Sequence, residues 1–91
     1  MYAVTYHHLV KREDIPALPD VWKQKIKRAI EERLMTYPDL YGKPLRKSLK
    51  GYRKLRVGDY RVIFSIEENA VKILIIQHRG TVYTEIKKRV A

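Results

Sequence analysis

The stretch KLRVGDYRVIF, residues 54–64, predicts a β-hairpin and with it the centre of the fold. Apolar and charged residues alternate on both sides of Gly58-Asp59, and a two-residue loop that begins with glycine is typical of a type I′ or II′ turn. In that register Arg56 faces Arg61. One side of the hairpin needs a core to pack against, and it comprises Leu55, Val57, Tyr60, Val62 and Phe64. The other side carries the hairpin cations, which are Lys54, Arg56 and Arg61.

The charge of the chain is concentrated around this hairpin. The 91 residues have a formal net charge of +10, and residues 43–61 hold eight cations against the single acid Asp59, a local net charge of +7. Like charges that face each other on a sheet are destabilising, and Arg56 faces Arg61 here. A solvated basic surface is one interpretation. We favour phosphate binding, and hence a nucleic-acid partner.

The segments before and after the hairpin predict further strands and one long helix. Alternation over residues 2–6 and an apolar run over residues 71–79 each indicate a strand. Residues 21–37 show the three- and four-residue spacing of an amphipathic helix. We expect Asp20 to be its N-cap and Pro38 to end it.

Two shorter helical segments complete the predicted architecture. Residues 9–18 are interrupted by Pro16 and allow a turn or two of helix. The tail, residues 81–91, allows one or two turns packed against the sheet. We therefore expect one α+β domain, residues 1–91, with a small antiparallel-rich sheet of about four strands. Two N-terminal helices pack on one face of that sheet, and a short helical segment follows at the C-terminus.

The composition argues against several kinds of site. The chain has no cysteine, and its three histidines lack the spacing of metal ligands. It shows no Ser-His-Asp set, no paired carboxylates and no glycine-rich phosphate loop. We expect neither a metal nor a cofactor. Without a basic leader or an apolar run of membrane length, we expect a soluble cytoplasmic protein with no membrane partner.

Further candidate residues lie beside the hairpin. Arg79 ends the last predicted strand, where we expect it to join the hairpin cations around a phosphate. Its neighbour His78 can act as an acid or base near neutral pH, and Tyr83 can stack on an unpaired base or simply pack the tail. RNA is the better substrate for such a site because its 2′-hydroxyl is a built-in nucleophile. The expected RNA or phosphate contacts are His78 together with Lys47, Lys50, Arg53 and Arg56.

The succession LYGKPL, LKGYRKLRVGDYRVIF, a strand that ends in HR, and VY soon after it resembles the RelE/ParE superfamily of type II toxin-antitoxin toxins. The resemblance runs in order through nearly the whole chain. It implies a RelE-like fold and a tight complex with a cognate antitoxin, for which we expect an acidic or amphipathic segment that wraps the toxin. In the RelE branch it implies metal-independent cleavage of mRNA on the ribosome. There the 2′-hydroxyl attacks the adjacent phosphate and leaves a 2′,3′-cyclic phosphate.

The resemblance also implies a role for each matched residue. Arg61 would bind the scissile phosphate, and Arg79 would stabilise it or protonate the leaving group. Tyr83 would stack on or orient the nucleotide. Lys54 matches a basic residue proposed as the general base, and Arg56 matches the arginine that follows it.

Two other functions fit the same sequence. A ParE-like inhibitor of DNA gyrase would bind a protein and cleave no RNA, and ParE-type chains share the GDYR hairpin. A non-catalytic relic would only bind nucleic acid. The retained set of Lys54, Arg61, Arg79 and Tyr83 favours the ribonuclease.

Overall fold

Five strands form one sheet in the computed structural model, which describes residues 1–91. The sheet order is β1-β5-β4-β3-β2, with β1 parallel to β5 and the other pairs antiparallel. About four strands were expected, and the additional one is β2. It was not predicted because its two residues lie in a linker that shows no strand pattern. In chain order the strands are β1 (Ala3–Tyr6), β2 (Lys43–Pro44), β3 (Arg53–Val57), β4 (Tyr60–Glu67) and β5 (Ala70–His78).

The β3–β4 hairpin has the predicted register. Arg56 pairs with Arg61, and Val57 pairs with Tyr60. Gly58 opens the turn with a φ of 60°, and a Cβ at this position would clash with the ring of Trp22. Glycine is therefore required twice, for the backbone of the turn and for the close approach of Trp22.

Four helical elements surround the sheet. None of them has the length and apolar character needed to span a membrane. The first two each combine an α-helical part with a π-helical turn, an i to i+5 arrangement. The elements are α1 (π turn Val10–Asp14, then Ile15–Ala17), α2 (Asp20–Ala29, then π turn Ile30–Leu34), α3 (Pro38–Tyr41) and α4 (Val82–Arg89).

The predicted ends of α2 need two corrections. Asp20 is the first helical residue and not the N-cap, because Pro19 takes the cap position and no side chain caps the helix. The helix ends at Leu34, before the predicted residue 37. Pro38 opens α3, consistent with the preference of proline for the first turn of a helix.

The sheet is buried on both faces. Helices α1 and α2 cover one face, whose core includes Val10, Ile26, Ile30, Leu34, Leu55, Val62, Phe64, Val71, Ile73 and Ile76. The predicted C-terminal helical segment is α4, and it covers the opposite face. The second core comprises Leu49, Ile63, Leu74, Ile75, Val82 and Ile86.

A β-bulge interrupts the pairing of β4 with β5. Ile63 pairs with Ile75 while Phe64 pairs with Ile73, so Leu74 is an extra residue in β5. Leu74 and Ile75 both point into the second core. Beyond the bulge the alternation of β5 is inverted relative to the first half of the strand.

A buried ion pair holds β5 at this bulge. Arg89 Nη1 lies 2.6 Å from Asp14 Oδ2 and also donates to the carbonyl oxygen of Leu74 at 3.0 Å. The backbone N–H of Ile76 donates to the same Asp14 oxygen at 3.0 Å. Strand β1 pairs only with residues 70–73 of β5, so Asp14 and Arg89 bind backbone groups that β1 leaves unpaired.

Candidate nucleic-acid interface

The hairpin cations line one cavity at the outer edge of β3. The cavity has a volume of about 250 Å³. It lies where β2 stops, because β2 pairs only with Arg53 and Lys54 and leaves the rest of β3 as an edge strand. Five of its seven lining residues are cationic and none is acidic; they are Arg33, Tyr41, Lys43, Lys54, Leu55, Arg56 and Arg61. An anion bound there would meet positive charge from several sides.

The Arg61 side chain is fixed beside the hairpin turn. One of its terminal nitrogens donates to the carbonyl oxygens of Gly58 and Tyr60, both at 2.9 Å. Such backbone bonds fix the orientation of a guanidinium that has five N–H donors in total. Donors remain for a phosphate, which arginine can bind through two parallel hydrogen bonds.

Lys54 connects this cavity to α4. Its Nζ lies 5.7 Å from the ring centroid of Tyr83, within the range of a cation–π interaction. Tyr83 is in the first turn of α4 and half-buried against the second core. The predicted lysine and tyrosine are thus neighbours, although 29 positions separate them in the sequence.

The bulge brings Arg79 to the same face of the sheet as Arg61. Gln77 pairs with Arg61, and alternation places Arg79 on the side of Gln77. The Arg79 N–H donates to the carbonyl oxygen of Asp59 at 2.8 Å. Its Nε lies 3.9 Å from Asp59 Oδ1, in an ion pair whose side chains are 62% and 65% exposed. A pair this exposed contributes little stability, so a phosphate can compete for the guanidinium.

His78 and Arg53 do not join the hairpin cations. The His78 ring lies edge-on to Tyr60 at 5.7 Å, on the face that α1 and α2 cover, since the bulge reverses its side. Arg53 donates to the carbonyl oxygens of Gly42 at 2.8 Å and Asp39 at 3.3 Å. Its guanidinium thus binds the backbone of α3 and of the α3–β2 connection through one nitrogen, and the expected phosphate contact stays a prediction.

Two other expected contacts lie outside the cavity. Lys47 and Lys50 are exposed in and after the 3₁₀ turn Lys47–Leu49. Neither lines the cavity around the hairpin cations. They add positive charge to this end of the molecule without a defined partner.

Sequence reasoning missed three residues of the cavity as site candidates. Lys43 pairs with Lys54 across β2 and β3, which required knowledge of β2. Arg33 and Tyr41 reach the same space from α2 and α3. A signal for Arg33 existed, because it is a cation in the otherwise apolar stripe of α2.

Comparisons with known proteins identify a toxin family that this chain matches. Residues 6–83 match the family described as "ParE toxin of type II toxin-antitoxin system, parDE". The chain is 33% identical over 72 residues to Toxin RelE of Mycobacterium tuberculosis, covering 77% of this chain and 74% of that protein.

Solved structures extend the likeness to the fold. A crystal structure of the RelBE2 toxin-antitoxin complex from Mycobacterium tuberculosis matches with a TM-score of 0.80 and 31% identity, over 87% of this chain and 92% of that one. The isolated RelE toxin of E. coli matches over 100% of both chains with a TM-score of 0.71 and 21% identity. At that lower identity the likeness shows the fold alone.

Proposed function

We propose, since the chain belongs to the RelE/ParE superfamily of toxins from type II toxin-antitoxin systems, that it is a ribosome-dependent endoribonuclease acting in the cytoplasm. The observation that carries this proposal is the acid-free cavity in which Lys54, Arg56 and Arg61 meet. Tyr83 adjoins it through Lys54. The relative named Toxin RelE favours the same branch of the superfamily.

The proposed reaction is an internal transesterification of mRNA. The 2′-oxygen attacks the adjacent phosphorus, the bond to the 5′-oxygen breaks, and the products carry a 2′,3′-cyclic phosphate and a 5′-hydroxyl. Arg61 binds the scissile phosphate and stabilises the charge that develops on it, the task of an oxyanion hole. Positive side chains supply this charge, so the proposed reaction requires no metal.

The proton transfers are assigned to the two flanking basic residues. Lys54, as the neutral amine, takes the proton of the 2′-hydroxyl and becomes an ammonium, and Arg79 stabilises the phosphate or protonates the departing 5′-oxygen. Tyr83 stacks on the nucleotide and holds the 2′-hydroxyl in line for attack. Lys54 lies beside the Tyr83 ring, which supports a shared role for the two residues.

The proposed protein partner is a cognate antitoxin. The solved relatives include RelBE complexes in which a toxin is bound to its antitoxin. An acidic or amphipathic antitoxin segment would offset part of the net charge of +10. Such a segment can fold on the toxin surface and block access to the hairpin cations.

Cleavage on translating ribosomes tests this proposal. Arg61→Ala and Arg79→Ala are each expected to lower the cleavage rate by roughly 10²–10³-fold, the effect of removing one oxyanion donor. The products are mapped by sequencing and tested for a cyclic phosphate end. Arg12→Ala, an exposed residue of α1, is the control and should cleave like the wild type. Unchanged cleavage in both site variants would contradict the proposed mechanism.

A gyrase inhibitor remains the second candidate, because the matching family model is that of ParE toxins. A supercoiling assay with purified gyrase separates the two functions. Inhibited supercoiling together with intact mRNA on ribosomes would establish the second candidate in place of the first. RNA binding with neither activity would identify a non-catalytic relic.

A further inference from the structure

The cavity around the hairpin cations has a second wall that the proposed reaction does not use. Arg33 reaches it from the last turn of α2, and Tyr41 from the end of α3. The guanidinium carbon of Arg33 lies 5.9 Å from the ring centroid of Tyr41. Tyr41 is 45% exposed, so its ring is accessible to a ligand that enters the cavity.

We propose that this wall is a second RNA subsite, which binds the nucleotide next to the scissile phosphate. Arg33 contacts the phosphate of that nucleotide, and Tyr41 stacks on its base. The proposal rests on the proposed function, because it places the second nucleotide relative to the reacting one. It adds Arg33 and Tyr41 to the residues that bind substrate.

The charge distribution sets this cavity apart from its neighbours. The adjacent groove along α2 also contains cations, but Glu32 lies among them. A third depression on α2 combines Lys27 and Arg28 with Glu31 and Glu32. Of these three, only the cavity that Arg33 shares with Tyr41 contains several cations and no acid, and such a cluster is self-repelling until an anion binds.

The position of Lys54 links the two subsites. Its amino group lies 5.7 Å from the ring of Tyr83, and the residue also lines the cavity to which Tyr41 belongs. Lys54 is therefore close to one aromatic ring and shares the cavity with another. This is the arrangement of a stacking platform, on which two successive bases stack while cations contact the backbone.

Binding of 2′-O-methyl RNA, which lacks the nucleophilic hydroxyl and cannot be cleaved, tests the subsite. Fluorescent oligonucleotides of increasing length are titrated into the full-length protein at several salt concentrations. For wild type we expect one added nucleotide to tighten binding about tenfold, the effect of a stacked base together with a phosphate contact. Arg33→Gln and Tyr41→Ala should each abolish most of this gain, whereas Tyr41→Phe should keep it. Arg33→Lys should retain part of it, because lysine keeps the charge without the planar fork.

Arg28→Gln is the matched control. Arg28 lies on the same helix and loses the same charge, but it lines other depressions. Arg33→Gln should lower the slope of log affinity against log salt by about 0.7, the value for one lost contact with single-stranded RNA. Arg28→Gln should leave both the slope and the length gain as in wild type. Equal effects from both variants would indicate that the overall positive charge of the protein, and not a defined subsite, attracts the RNA, and would overturn the proposal.

The test also separates RNA from an acidic protein segment and from the proposed catalysis. Loss of oligoglutamate binding in Arg33→Gln and Tyr41→Ala, with an unchanged RNA length gain, would assign the cavity to a protein partner and overturn the proposal. The RNA measurement requires no cleavage. A length gain that depends on both residues supports the subsite even if ribosomal cleavage is absent. An undiminished gain in both variants rejects the subsite even if cleavage is confirmed.

Discussion

At the scale of single residues, the buried Asp14–Arg89 ion pair matters because it also forms hydrogen bonds with the backbone of β5. Its side chains are 2% and 5% exposed. The pair binds backbone groups of Leu74, the extra residue of the bulge, and of Ile76. A buried charge that loses its partner cannot recover its hydration, so each partner requires the other.

Asp14→Asn is expected to destabilise the fold by about 3 kcal/mol, because it leaves Arg89 buried without its counter-charge. Urea unfolding at neutral pH measures the change in the free energy of unfolding. Asp20→Asn is the control, since Asp20 is 96% exposed in its pair with Lys23 and should cost less than about 1 kcal/mol. Equal losses of unfolding free energy in the two variants would contradict the view that burial makes the Asp14–Arg89 pair more important than an exposed pair.

His7 makes the stability depend on pH. Burial lowers the pKa of this imidazole, and the charges of His8 and Arg89 act in the same direction. The native state thus binds fewer protons than the unfolded chain, whose histidines titrate near about pH 6.5. The contribution of His7 is complete above that pH and is lost as pH falls through the lower folded pKa.

His7→Asn should flatten this pH dependence. Asparagine keeps an acceptor near the Leu9 N–H that His7 Nδ1 binds at 3.1 Å, but it does not titrate. Urea unfolding between about pH 7 and 5 should show a smaller loss of stability in the variant than in wild type. His78→Asn is the control, because it removes an exposed imidazole that accepts the same kind of hydrogen bond, from the Gly80 N–H. A His7→Asn profile parallel to that of wild type would refute this account.

At the scale of elements, the hairpin and its neighbouring strands were predictable, and several features around the hairpin were not. The register of Arg56 with Arg61 follows from the turn residues and the alternation, which are local. The strand β2, the bulge at Leu74 and the role of Arg53 depend on contacts between distant segments. The side on which Arg79 lies depends on that bulge, and alternation alone would have placed it wrongly if counted from the start of β5.

Gly58→Ala tests the element that was predicted best. A φ of 60° and the nearby Trp22 ring should together cost about 2 kcal/mol or more when a Cβ is added. Thermal unfolding should show a clear drop in the transition temperature. Gly51→Ala is the matched control, because Gly51 also has a positive φ, 98°, but nothing within 4 Å of a Cβ. The loss of stability in Gly51→Ala should be smaller, because it reflects only the strain of a positive φ and no side-chain clash. A loss as large as that of Gly58→Ala would mean that Trp22 contributes nothing.

At the scale of the whole molecule, the sheet separates two tasks. The face under α1 and α2 contains the larger core, and Leu55 is the one residue of that core that lines the cavity with the hairpin cations. The opposite face divides between the core under α4 and the hairpin cations. The net charge predicted a polyanionic partner, but composition alone could not show that Arg33 and Tyr41 reach the cavity from the helices.

The extra residue in β5 has a consequence for comparing this chain with its relatives. Before Leu74 the odd-numbered side chains of β5 face α1 and α2, and after Leu74 the even-numbered side chains do. A substitution at a buried position of the first half changes the core, whereas the loss of the extra residue would turn Arg79 to the face under α1 and α2 and His78 to the face of the hairpin cations. The arginine is therefore located by its distance from the bulge and not from the start of the strand. Length, more than identity, is what relatives must conserve in this segment to keep the arginine at the proposed RNA-binding surface.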